Sequence, residues 1–167
     1  MRSEIKIGRE VALVPLHLGV VIASLILGWI FSTPVEHGLE RVFSISPSSP
    51  WLDVPYDPLI WGSSLVAGGL INLWLRSRSA SWMWTVGVFW LLVGMTDEFR
   101  FHDPRWCGGC SLGQDVWNQY FAWDKNKCSN QECLGQLLFT TPLLCSIAYS
   151  VAGTLARRWH RSSAESD

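Results

Sequence analysis

VALVPLHLGVVIASLILGWIF, residues 11–31, is a run of 21 residues without a formal charge. About 20 apolar residues in a helix are needed to cross a ~30 Å hydrocarbon core. The run therefore reads as a membrane span, and three more follow it. Residues 59–75 form a second uncharged stretch, residues 81–96 a third that can extend through Asp97 to Phe101, and residues 134–156 a fourth. The first stretch exceeds the 7–15 residue core of a cleaved signal peptide, and Thr33-Pro34 follows it in place of a small-residue cleavage site. It reads as a retained anchor.

The composition agrees. Of the 167 residues, 49% are hydrophobic and only 16% charged, against about 25% charged in a soluble domain. Eleven tryptophans suit a chain that meets membrane interfaces. Trp29, Trp61, Trp74, Trp82, Trp84 and Trp106 lie near the ends of the spans, whereas Trp90 is deeper and reads as packing. A net charge of −1 argues against nucleic-acid binding, which needs a basic surface. The fold class is thus an all-α integral membrane protein in one membrane domain: four transmembrane helices, and outer loops at 32–58 and 97–133.

The basic residues orient it. Arg2, Lys6 and Arg9 precede the first span, Arg76 and Arg78 sit between the second and third, and Arg157, Arg158 and Arg161 follow the fourth. These are 8 of the 13 Lys and Arg. With both termini inside, the inner face carries 8 basic and 4 acidic residues, and the outer loops 5 basic and 10 acidic. Short loops rich in Lys and Arg stay cytoplasmic. The expected location is a cell inner membrane, with both termini cytoplasmic.

Each outer loop holds a helix signal. Thr33-Pro34-Val35-Glu36 has the form of a capping box, with Pro at the first helical position. Val35, Leu39, Val42 and Phe43 then recur at helical spacing, which predicts a separate amphipathic helix along the outer surface. In the second loop, Ser111-Leu112-Gly113-Gln114 is another capping box. Leu112, Val116, Tyr120 and Phe121, widened by Trp117 and Trp123, predict a surface helix over residues 112–123.

That second loop also holds Cys107, Cys110, Cys128 and Cys133, four of the five cysteines. In an oxidising compartment paired cysteines usually form bridges. Four cysteines allow three connectivities, and the spacing does not choose among them. Two other chemistries use the same residues. The C-x-x-C of Cys107-Gly108-Gly109-Cys110, beside Arg105, can support thiol–disulfide exchange. The spacing C-x2-C-x17-C-x4-C approaches a four-cysteine zinc site, to which His102 and Asp103 could add, though its second spacer is long and oxidation would compete. In layout, four helices with two outer cysteine pairs, the chain resembles the quinone-linked disulfide-forming membrane enzymes and the vitamin K epoxide reductases. That resemblance implies quinone as the electron acceptor and Cys107, Cys110, Cys128 and Cys133 as catalytic residues. The chain departs from both families. The first has its pairs in different outer loops, and the second has its C-x-x-C at a helix end.

Inside the spans, His17 and Asn72 are the polar residues to explain, because intramembrane ionisable groups are expensive and often functional. Both lie toward the inner side, and a hydrogen bond between them is expected. Around the third helix end, Glu98 and His102 would share a face if the helix continues. Ser64 and Gly68, and the row Ser146, Ser150 and Thr154 with Ala148 and Ala152, are small residues at the spacing that lets helices approach closely. Cys145 lies too far along the fourth span to reach the outer cysteines and is expected to stay free. No nucleophile elbow, phosphate loop or H-E-x-x-H motif is present. The leading functional expectation is a structural or accessory membrane protein. Its disulfide-held loop would contact another membrane or exported protein, with no resident cofactor or metal. A membrane thiol–disulfide oxidoreductase is the alternative.

Overall fold

The uncharged runs all become helices. The computed structural model describes residues 2–43, 58–101, 109–122 and 135–165, and every long element among them is helical, with no strand. α1 spans Arg2–Phe43, α2 Pro58–Leu75, α3 Met83–Phe101, α4 Leu112–Tyr120 and α5 Thr141–Glu165. A 3-10 turn, Ser79–Trp82, leads into α3, and a π-helical turn, Gln136–Thr140, leads into α5. Three stretches are long and apolar enough to cross a membrane: Gly8–Phe31, Ser79–Phe101 and Gln136–His160. Leu59–Leu75 in α2 is a shorter apolar helix. The chain therefore has three to four long apolar helices of the kind found in membrane proteins.

The predicted break at Thr33 does not occur. α1 runs through it as one helix of 42 residues, with Pro15 and Pro34 both inside. Each proline removes one backbone bond and costs roughly 3 kcal/mol in a helix interior. The turns on both sides remain helical, so the capping-box pattern marks no boundary here. α3 does continue through Asp97 to Phe101, as its sequence allows.

α2 and α5 form the centre, α1 packs on α2, and α3 packs on α5. The reason is legible along α2. Ile60, Ser64, Gly68 and Asn72 repeat every four residues, and all four are buried. They make one ridge, the i, i+4 row along which helices interdigitate. On α5 the matching row is Thr141, Cys145, Tyr149 and Gly153, also buried. The two backbones meet at Gly68, where a Cβ would lie 2.5 Å from the carbonyl oxygen of Tyr149 and 2.9 Å from its Cα.

The small residues that the sequence singles out thus divide among three seams. Ser64 bonds Ser24 of α1, and Gly68 meets Tyr149 of α5. Ser146 and Ser150 serve α3 instead: a Cβ at Gly87 would lie 2.9 Å from both Leu143 Cα and Ser146 Cβ, and the Ser150 hydroxyl accepts from the Trp84 backbone N–H at 2.9 Å.

The π-turn runs directly into Thr141-Pro142 at the start of α5. Proline has no N–H for the carbonyl four residues back, which is that of Leu138. The indole N–H of Trp90 donates to this carbonyl at 2.8 Å. Trp90 also stacks on Phe139, with centroids 5.8 Å apart. The deep tryptophan of α3 is therefore packing, and it also satisfies an acceptor that Pro142 leaves open.

α4 forms with its predicted start. The Ser111 side chain accepts from the Gln114 N–H, and the Gln114 side chain accepts from the Ser111 N–H at 3.0 Å. The helix ends at Tyr120, short of Trp123, which lies outside the described residues. Tyr120 is the anchor. It is buried, donates its hydroxyl to the Gly94 carbonyl at 2.8 Å, and packs edge-on against Phe139. Trp117 faces away, 61% exposed.

Candidate functional site

The bundle interior contains a series of buried polar groups rather than a continuous apolar core. His17, Ser24, Ser64, Asn72 and Tyr149 are all at or below 5% exposure. Burying a polar group without a partner is costly, so its partners indicate its task.

His17 and Asn72 do not bond to each other. His17 Nδ1 lies 2.7 Å from the Tyr149 hydroxyl, with the rings edge-to-face at 5.7 Å. Asn72 donates Nδ2 to the Gly153 carbonyl at 2.5 Å and accepts the Ser77 N–H on Oδ1 at 2.8 Å. Depth in the bilayer, which suggested the pairing, is only one coordinate. The Asn72 ridge points at α5 and the turn that follows α2, and there Asn72 holds the end of its own helix against Gly153. His17 faces α5 from the other side. Its partner, Tyr149 of α5, carries no signal in the sequence that ties it to His17.

His17 Nε2 has no hydrogen-bond partner among the described residues. With Nδ1 facing a hydroxyl, the neutral ring can donate or accept there according to its tautomer. Replacing Tyr149 by Phe would leave both ring nitrogens unpaired. We expect a coupling of about 0.6–2 kcal/mol between Tyr149→Phe and His17→Leu in a double-mutant cycle of detergent unfolding. Additive effects would show that the contact contributes nothing.

Nearer the expected inner face, Glu10 closes a second polar centre. Its Oε2 accepts the backbone N–H of Arg78 at 2.8 Å and of Ser79 at 2.9 Å, and the hydroxyls of Ser77 at 2.8 Å and Ser79 at 3.1 Å. Arg9 donates Nη2 to the Leu75 carbonyl at 3.2 Å. Arg76 adopts φ 53° at the end of α2, and its N–H returns to the Asn72 carbonyl at 3.0 Å. A left-handed residue just past a helix is the usual way its last carbonyls are satisfied. The tight turn between α2 and α3 is thus tied down by α1. A third tie joins α1 to α2: the Ser24 and Ser64 hydroxyls are 2.7 Å apart, and Ser63 donates to the Ser24 carbonyl at 2.6 Å.

Of the loop cysteines, Cys107, Cys128 and Cys133 lie outside the described residues, as do His102 and Asp103. Cys110 is described, just before the α4 cap, and no two described cysteines form a bridge with each other. Cys145 is free and fully buried, its thiol 3.9 Å from the Ile60 carbonyl. Among the described residues no group of three or more His, Cys, Asp or Glu comes together to hold a metal. The side chain of Glu98 is not described, so its pairing with His102 lies outside what the structure shows.

No family model, no curated protein and no solved structure matches this chain.

Proposed function

We propose that this chain is a small multi-pass protein of structural or accessory type in a cell inner membrane. It has four spans and cytoplasmic termini, and its outer loop is held by disulfides among Cys107, Cys110, Cys128 and Cys133. The observation that carries the reading is the use to which the buried and half-buried polar groups are put. Glu10, Ser24, Ser63 and Asn72 tie helices to helices or to a turn, and little of the set is left over for chemistry. Large apolar side chains cover the outside, from Trp29 on α1 to Trp74 on α2, Phe89 on α3 and Leu155 on α5. A lipid environment covers such surfaces. The 18 residues of α2 reach about 27 Å at 1.5 Å per residue, enough for a span held between α1 and α5. The loop carrying the cysteines then serves as the contact for another membrane or exported protein.

Topology and thiol counting test it together. Reporters fused after Asp167 and within residues 76–80 should read as cytoplasmic, and those near Ser48 and Asn126 as external. Protein trapped at once from an oxidising compartment and denatured should take one alkyl label, at Cys145, and all five cysteines should label after reduction. An external C-terminus or five labels before reduction would defeat the proposal. A thiol–disulfide oxidoreductase gives a different result: quinone co-purifies, and a reduced thiol substrate turns over.

A further inference from the structure

α1 packs on α2 and α3 on α5, so the inner ends of α1 and α3 are separated by a lateral cleft. It has a volume of about 760 Å³, inside the roughly 300–1,000 Å³ of small-ligand sites. Its mouth carries Arg9 and Arg78, and its walls are apolar, formed by Val11 and Val14 of α1 and Met83 and Val86 of α3. A second depression of about 400 Å³ adjoins it. The two share Arg78 and Trp82, and the second adds Arg157 and Trp84.

We propose that this cleft binds one anionic phospholipid of the inner leaflet, its phosphate held by Arg9 and Arg78 and one acyl chain lying between α1 and α3. The proposal rests on the membrane reading above. Charge complementarity selects this occupant. Among the described residues, three arginines flank the mouth against one acid, Glu10, and the Oε2 of Glu10 is turned to four donors in the α2–α3 turn. Arg9 is steadied by the Leu75 carbonyl through one N–H, and a guanidinium has five. A planar fork suits a phosphate better than a point charge does. Trp82 and Trp84, 63% and 42% exposed, stand at the same level, where indoles sit among headgroups. Beyond the cleft the apolar row Val11, Val14, Leu18 and Ile22 continues along α1, with Leu18 and Ile22 exposed. A soluble anion would use the arginines and leave these walls unoccupied. A hydrocarbon chain attached to the same phosphate uses both.

The full chain, purified in mild detergent, is titrated with phosphatidylglycerol or with phosphatidylcholine of the same chains, and bound lipid is counted by native mass spectrometry. One phosphatidylglycerol should be retained per chain, and it should outlast phosphatidylcholine. An arginine near an anionic headgroup is worth about fivefold in affinity, so Arg9→Gln with Arg78→Gln should weaken retention roughly thirtyfold. Arg41→Gln, about 48 Å from Arg9 along α1 at 1.5 Å per residue, should change nothing. A wild-type arm needs no variant to fold: phosphatidylglycerol with a photoreactive acyl chain should label the peptides holding Val14 and Val86. Equal retention of both lipids, indifference to the double substitution, or labelling elsewhere would overturn the site. Thermal stabilisation by inorganic phosphate equal to that by the lipid would assign the arginines to a soluble anion and overturn the acyl-chain half. The measurement is made in detergent, so it fails or succeeds independently of the topology reporters.

Discussion

Gly68→Leu is expected to separate α2 from α5. At Gly68 the two backbones approach so closely that a Cβ would meet the Tyr149 carbonyl oxygen at 2.5 Å, the Cα at 2.9 Å and the carbonyl carbon at 3.1 Å. These are backbone atoms inside a helix and cannot rotate away, so any side chain must push α5 bodily. Overpacking a tight interior costs about 1–3 kcal/mol and occasionally more. Here the displaced helix also carries the Tyr149 hydroxyl bonded to His17 and the Gly153 carbonyl bonded to Asn72. We therefore expect the upper end of that range or beyond for Leu, and a measurable loss for Ala. Gly69 provides the control, since a Cβ there meets nothing within 4 Å. Gly69→Ala should be neutral or better, because Ala is the stronger helix former by about 1 kcal/mol. Denaturant or heat unfolding of the purified chain, followed by helical signal, separates the two. Equal stability of Gly68→Leu and Gly69→Leu would show that the α2–α5 contact is not close in the protein.

The same contact shows what a sequence can and cannot disclose. The spacing of Ser64 and Gly68 was readable as a close-approach motif because small residues every four positions always open a groove. Which helix fills the groove was not readable. The row Ser146, Ser150 and Thr154 has the same spacing of small residues, yet the ridge that meets Gly68 is the one through Cys145, Tyr149 and Gly153. A tyrosine with a cysteine does not advertise itself as a packing stripe. The long apolar helices were legible because an uncharged run of about twenty residues has few other uses. The start of α4 was legible because Ser111 and Gln114 satisfy two backbone donors by local chemistry alone. Thr33-Pro34-Val35-Glu36 has the same form and starts nothing, since α1 already supplies helical carbonyls ahead of it. His17 stands out in the sequence as an ionisable group within an apolar run, but its partner depends on helix rotation, which composition and depth do not specify. Glu10 was counted only as a charge on the inner face. Its role as acceptor for a turn nearly seventy residues away is a tertiary fact. The one hint was that Ser77, Arg78 and Ser79 offer several donors in a link too short to satisfy them itself.

Glu10→Ala should loosen the joint between α1 and the α2–α3 turn. Four donors converge on one carboxylate oxygen, two of them backbone N–H groups of consecutive residues. Bonds to a charged acceptor contribute about 1.5–3 kcal/mol each when buried, but Arg78 is exposed here and water replaces part of the loss. Ser77 and Ser79 are buried, and their hydroxyls would be left with each other. We expect a net loss of about 2–4 kcal/mol for Glu10→Ala. Glu10→Gln keeps an acceptor oxygen without the charge, so its loss should be smaller. Glu10→Asp is the sharper comparison. It keeps the charge, but the side chain is one methylene shorter and cannot reach all four donors from the same turn of α1. If charge alone mattered, Asp would restore full stability. If placement matters, as the convergence on Oε2 indicates, Asp should fall between Glu and Ala. Hydrogen exchange at the Arg78 and Ser79 amides reports on this joint directly. Protection there should drop in Glu10→Ala while the Tyr149 region of α5 stays protected, because Asn72 still anchors the turn from the other side. Unchanged exchange at both amides would show that α1 does not hold the turn.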